Sequence, residues 1–216
     1  MKIDPKIKDI LEWIMCFLIA VLIAILVRYY IGTPTIVESV SMNPTLYEGQ
    51  RLWVSRWNRT TGKLPKRGDI ITFEAPTNST NIDTKNIDMY NPIAEYNSEP
   101  KGLWNEFLYY VLEVGKTSYI KRVIALPGEH VQITNGYVYI NGEKLQEDYL
   151  PAGIVTDMEK GGVYEDFTVP GNTVFVLGDN RTESIDGRIF GCIPLEKIES
   201  TLSFRFWPLN VFGKVE

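Results

Sequence analysis

One stretch constrains this chain more than any other: residues 10–31 are almost wholly apolar, with Glu12 and Arg28 as the only charges, both near the ends. About 20 helical residues cross the ~30 Å hydrocarbon core of a bilayer, so the stretch is expected to be a membrane-spanning helix. It divides the chain into a short tail (1–9), an anchor (10–31) and one remaining domain (32–216). Lys2, Lys6 and Lys8 precede the run. The positive-inside bias then predicts a single-pass plasma-membrane protein with a cytoplasmic N-terminus and an extracytoplasmic domain. A cleavable signal peptide is the alternative. Against it, the run is longer than a typical signal core and no small-x-small site follows Val27. Trp13, Tyr29 and Tyr30 lie at the two ends, where amphipathic rings favour the headgroup layer.

The rest of the 216 residues suffices for one domain with a real core, and 44% hydrophobic and 23% charged residues are typical of a folded protein. A net charge of -5 argues against binding nucleic acid as the main task. Cys16 lies in the anchor and Cys192 near the C-terminus, so no disulfide is expected. His130 is the sole histidine, and no grouping has metal-ligand spacing. A metal site is therefore not expected.

Residues 50–57 alternate as a strand does, with Leu52 and Val54 on one face and Trp53 and Trp57 on the other. Arg67-Gly68-Asp69 is a turn before a strand over 70–73. Residues 119–126 form a strand ending at Pro127-Gly128, and 131–133 with 137–140 a hairpin about Asn135-Gly136. Asn141-Gly142 makes the next turn, and 173–177 and 202–207 are further strands. The fold class is therefore mainly β: one transmembrane helix followed by a β-rich domain. Residues 76–116 break this pattern as an insertion, rich in Asn, Thr, Ser and Asp up to Ser98 and then apolar at helix-like spacing over 103–114.

Ser41 opens Ser41-Met42-Asn43-Pro44-Thr45-Leu46, and Pro44 stiffens that segment and keeps Asn43 extended, which predicts an exposed turn. A serine hydroxyl needs a base to attack a carbonyl, and with histidine nearly absent lysine is the substitute. A lysine of ordinary pKa is neutral roughly once in 2,500 molecules at pH 7, but one lowered to about 8 is neutral about once in ten. If 119–126 is a strand, Lys121 shares a face with Tyr119, Val123 and Ala125, which could desolvate its ammonium. From alternation alone, Lys121 and Arg122 read rather as solvated strand residues. Gly178-Asp179-Asn180-Arg181 has the chemistry of a sharp turn, and Ser184 or Asp186 could contact a buried ammonium.

Taken together, these segments resemble the type I signal peptidases of the bacterial kind, serine endopeptidases that use a Ser/Lys dyad. Ser41-Met42-Asn43-Pro44-Thr45-Leu46 is similar to the nucleophile motif, Arg67-Gly68-Asp69-Ile70-Ile71-Thr72-Phe73 to the next strand motif, and Tyr119-Ile120-Lys121-Arg122-Val123-Ile124 to the lysine motif. Leu177-Gly178-Asp179-Asn180-Arg181 with Ser184, Asp186 and Arg188 is similar to the fourth, although Gly187 stands where a serine is common. The resemblance implies Ser41 as nucleophile and Lys121 as general base, with Ser184 orienting the lysine and Asp179, Asp186 and Arg188 bracing the site. It makes Ser39 an oxyanion donor, and Val37, Met42, Leu46, Tyr119 and Ile120 the walls of pockets for small side chains. It implies removal of signal peptides from exported preproteins, with the lipid bilayer and the secretion translocon as further partners and no cofactor.

Two other readings remain at this level. One is a self-cleaving Ser/Lys regulator, which would need a DNA-binding module where the anchor stands. The other is a non-enzymatic tethered β module that binds through its aromatic surface, in which case the dyad is coincidence. The insertion is a cap, a partner surface, or a membrane-contacting flap carrying Trp104, Phe107, Tyr109 and Tyr110.

Overall fold

The computed structural model describes residues 4–79, 91–97, 99–158 and 162–215. The first residues of the tail and parts of the insertion (80–90 and 98) lie outside the described residues. The apolar run forms one helix, Pro5–Tyr30, begun by the Asp4 side chain, which accepts from the backbone N–H of Lys6, with Pro5 at a position where its missing N–H costs nothing. Residues Lys6–Tyr30 have a mean hydropathy of 2.9 in their most apolar window, and none of that window is buried against protein. The helix is long and apolar enough to cross a bilayer.

The strands are β1 (Gly32–Ile36), β2 (Arg51–Ser55), β3 (Ile70–Glu74), β4 (Ser118–Ala125), β5 (His130–Thr134), β6 (Tyr137–Ile140), β7 (Glu143–Lys144), β8 (Asp166–Thr168), β9 (Thr173–Leu177), β10 (Ile193–Pro194) and β11 (Ile198–Trp207). They form a seven-stranded sheet in the order β1-β2-β11-β3-β4-β9-β10 and a four-stranded sheet in the order β7-β6-β5-β8. Each neighbouring pair is antiparallel. The fold is therefore mainly β behind an N-terminal apolar helix, as expected. Leu52 and Val54 point into the core from β2, and the β5–β6 hairpin turns at Asn135 and Gly136, both at positive φ as a two-residue hairpin requires.

Three differences from the sequence expectations have local causes. Trp57 leaves β2 and opens a short helix, Trp57–Thr61, which Gly62 ends in the left-handed conformation. Gly32–Ile36, over which no strand was expected, pairs along β2 from Gly32↔Ser55 to Ile36↔Arg51. The insertion is partly core: Ala94 is buried with Phe73, Val123 and Phe190, and Ile93 bridges Cys192. The helical spacing over 103–114 resolves into a helix, Leu103–Glu106, continued by a π-helical turn, Phe107–Val111.

The strand that matters most is β4, held between β3 and β9. Its pairing with β9 slips between Val123 and Ala125, a bulge that breaks the two-residue alternation. Val123 thus packs into one core with Val174 and Val176, while Ile124 and Ala125 join another with Phe175, Leu177 and the four-stranded sheet. That bulge overturns the expectation that Lys121 and Ala125 share a face. Tyr119 does remain on the lysine's side, its ring centroid 5.4 Å from Lys121 Nζ.

Candidate active site

The segment between β1 and β2 carries Ser41 on a single 3-10 turn, Val40–Met42, after which Asn43 is extended (φ -63, ψ 143) as its proline neighbour demands. Met42 and Leu46 are fully buried with Leu52, Val54 and Ile70 and nail this segment onto the sheet. Ser41 is consequently not exposed but 6% accessible, on the floor of a groove of about 710 Å³. The walls come from residues 34–39 and 116–121, with Leu52, Thr72, Glu183 and Ile185 also in the lining.

Lys121 reaches into the same groove and its Nζ donates to Ser41 Oγ at 2.8 Å, across 80 positions of sequence. It also donates to the Ile120 carbonyl at 3.0 Å. Both Lys121 and Arg122 are 4% accessible, so neither is a solvated strand residue. Burial lowers the Lys121 pKa from 10.5 to about 8, against the upward pull of the Asp186 and Asp179 carboxylates. Ser39 Oγ lies 3.1 Å from Ser41 Oγ.

The turn after β9 holds the serine's backbone. The Asn180 backbone N–H donates to the Ser41 carbonyl at 3.0 Å, and its side-chain amide to the Val40 carbonyl at 3.1 Å. Gly178 permits this approach, since a Cβ there would stand 2.1 Å from Ser184 Oγ and 2.5 Å from the Ser41 carbonyl oxygen. Asp179 receives Arg122 through Nε at 2.9 Å and Nη2 at 2.8 Å, and Thr45 Oγ1 at 2.5 Å, tying the serine segment to the lysine strand. Asp186 accepts from the Gly178 N–H at 3.0 Å and from Arg188 Nε and Nη2 at 2.9 Å each. Buried charges survive only when paired in this way. At Gly187 a Cβ would meet Phe175 Cε2 at 2.6 Å and the Val176 carbonyl oxygen at 2.7 Å, so the glycine at this position matches its packing.

The expected site residues fall into three groups. Ser41, Lys121 and Ser39 meet at the groove, and Val37, Tyr119 and Ile120 line it. Asp179, Asp186 and Arg188 are buried behind it as braces. Three expectations are not met. Met42 and Leu46 are core residues outside the groove lining, because the segment needs them as anchors. Ser184 is buried, but its hydroxyl makes no hydrogen bond among the described residues, and Lys121 is held instead by Ser41 and Ile120. Sequence reasoning also missed Thr45 and Asn180, although each lies inside a quoted motif, and Glu147, which pairs the fully buried Arg181 at 2.5 Å. Nothing near Glu147 in the chain signals that role.

Comparison with known proteins agrees with this architecture. The profile of the family described as signal peptidase, peptidase S26, matches residues 10–207. The chain belongs to that family. A signal peptidase I of Bacillus licheniformis is 32% identical over 220 residues, covering 100% of this chain and 98% of that one. Signal peptidase I T of Bacillus subtilis (strain 168) is 34% identical over 211 residues, covering 95% and 89%. Signal peptidase IB of Staphylococcus aureus (strain COL) is 32% identical over 218 residues, covering 95% and 93%. A solved signal peptidase I from Enterococcus faecalis V583 aligns at 28% identity over 65% of this chain and 98% of that one, with a TM-score of 0.37. This peptidase thus shares nearly its whole length, apolar helix included, with signal peptidases I.

Proposed function

We propose that this peptidase is a membrane-anchored endopeptidase that removes signal peptides from exported preproteins, with Ser41 as nucleophile and Lys121 as general base. The observation that carries the assignment is the 2.8 Å contact between Lys121 Nζ and Ser41 Oγ in a buried groove. With a pKa of about 8, a useful fraction of the lysine is the free amine near neutrality. In that form the same contact runs in reverse, the Ser41 hydroxyl donating to Nζ.

Attack then transfers the hydroxyl proton to Lys121 while Ser41 Oγ bonds to the scissile carbonyl carbon. The oxyanion is received by the Ser41 backbone N–H and by the Ser39 hydroxyl, whose Oγ lies 3.1 Å from Ser41 Oγ. Collapse breaks the C–N bond, and the Lys121 ammonium returns its proton to the leaving amine. Water resolves the acyl-enzyme by the same steps, with Lys121 again the base. Val37, Tyr119 and Ile120 shape the subsites beside Ser41, and their shallow, apolar character favours small substrate side chains. The helix Pro5–Tyr30 anchors the chain with its N-terminus in the cytoplasm and holds the groove at the outer face.

Ser41→Ala and Lys121→Ala are each expected to abolish cleavage of a preprotein by the full chain while leaving it folded and in the membrane. Retained cleavage by either variant contradicts the assignment.

A further inference from the structure

The end of the anchor helix is clasped by the β domain at several points, and the clasp leaves an unexplained apolar surface beside it. Arg28, two residues before the helix ends, pairs with Glu113 Oε2 at 2.8 Å and reaches the Leu112 carbonyl at 3.4 Å. The buried Arg56 holds the other oxygen of Glu113. Arg59 Nη2 donates to the Tyr29 carbonyl at 2.9 Å and Thr60 Oγ1 to the Tyr30 carbonyl at 3.0 Å, capping the helix. Residues 57–60 and 112–113 therefore stand at the depth of the helix's last turn, since two helical residues rise only about 3 Å.

Large apolar side chains of the segments that make those contacts are exposed. Leu103 is 88% accessible, Trp104 69%, and Val114 and Trp57 58% each. Trp104 stacks on Phe107 with ring centroids 5.8 Å apart. From 103 to 112 the only charged side chain is Glu106. The polar ends of this segment turn inward: Tyr109 OH donates to Glu74 Oε1 at 2.7 Å, and Lys116 Nζ pairs with Glu199 at 2.7 Å beneath the Tyr109 ring. Large apolar side chains exposed on a domain that also carries a helix apolar enough to cross a bilayer are the kind of surface that marks a membrane contact.

The geometry points to residues 103–114, with Trp57, as an interfacial membrane-docking surface seated at the headgroup–acyl boundary of the leaflet from which the anchor emerges. The occupant is the bilayer, because the segment is tied to the anchor's last turn through Leu112 and Glu113, Trp57 opens the short helix whose Arg59 and Thr60 cap the anchor, and the surface carries tryptophan and leucine, the residues that partition to that layer. Glu113 is the positioning residue that fixes the surface to the anchor through Arg28. Residues 116–121 follow directly and form one wall of the groove, so docking holds that wall against the lipid. This consequence for substrate capture rests on the function proposed above; the docking itself does not.

The test places a nitroxide at position 103 (Leu103→Cys) or, as control, at position 143 (Glu143→Cys) on the four-stranded sheet, in the full chain carrying Cys16→Ser. Cys192 is fully buried and out of the label's reach. In phosphatidylethanolamine and phosphatidylglycerol vesicles, collision with oxygen relative to a water-soluble nickel chelate should be at least about fivefold higher at 103 than at 143. Equal ratios overturn the proposal. The double variant Leu103→Ser, Trp104→Ser should lose about fivefold or more in cleavage of a vesicle-inserted preprotein yet cut a short water-soluble peptide at the unaltered rate. Equal loss on both substrates means the segment shapes the groove rather than the membrane contact, and no loss on either means lipid is not its partner. An unaltered chain inactive on both substrates would instead contradict the Ser/Lys assignment and leave the depth measurement standing.

Discussion

Replacing Lys121 by methionine keeps the length of the side chain and removes its charge, and the structure fixes how the effect on stability depends on pH. Lys121 is 4% accessible, and burial lowers its pKa from 10.5 to about 8. Below pH 8 the amine is protonated in folded and unfolded chains alike, and the folded state bears the whole cost of an enclosed ammonium, about 3 kcal/mol from that difference in pKa. Between pH 8 and 10.5 the unfolded chain still holds a proton that the folded chain has released, so stability rises with pH across that window. Methionine has no such dependence. The stability of Lys121→Met minus that of the unaltered chain is therefore largest near neutrality and falls by about 3 kcal/mol as the pH approaches 10.5. The change in packing and the lost hydrogen bonds to Ser41 and Ile120 add a constant, which cancels from the trend. Urea unfolding of both full chains in detergent micelles, at intervals from about pH 7 to about pH 10.5, reads the difference directly. A difference that does not vary with pH refutes the reasoning, because it would mean that the lysine is not desolvated.

Two further outcomes follow from the braces around the dyad. Ser39→Ala removes one oxyanion donor and should lower kcat by roughly 100-fold with little change in KM, measured on a soluble peptide; an unchanged kcat removes Ser39 from the mechanism. Gly178→Ala drives a Cβ to within 2.5 Å of the Ser41 carbonyl oxygen and 2.1 Å of Ser184 Oγ. It should cost about 2 kcal/mol or more in stability and most of the activity, read by urea unfolding and peptide cleavage, whereas a fully active variant would show that the turn can yield.

Much of this architecture is legible in local pattern. The apolar run reads directly as a helix, and alternation at Leu52 and Val54, the proline beyond Ala125 and the Asn135-Gly136 turn place β2, β4 and the hairpin nearly residue by residue. What local pattern cannot supply is depth. Lys121 and Arg122 read as solvated strand residues because their partners come from distant parts of the chain, Ser41 for the lysine and Gly68, Tyr149 and Asp179 for the arginine. Ser41 reads as exposed for the same reason, since its burial depends on Met42 and Leu46 reaching the core. The bulge between Val123 and Ala125 has no signal in composition and reverses a face assignment. The Ser184 contact with Lys121 rested on turn chemistry and the family motif, and there the side-chain geometry differs.

The central claim is that Lys121 serves Ser41 as a base, and the pH dependence of kcat/KM on a soluble peptide tests it most directly. With an amine of pKa about 8, the reactive fraction is roughly one in ten near pH 7 and roughly nine in ten near pH 9. kcat/KM should therefore rise about ninefold over that span and level off above it, following a single ionisation near pH 8. A profile flat from about pH 7 to about pH 9, or one that levels off before pH 7, would contradict a lysine base.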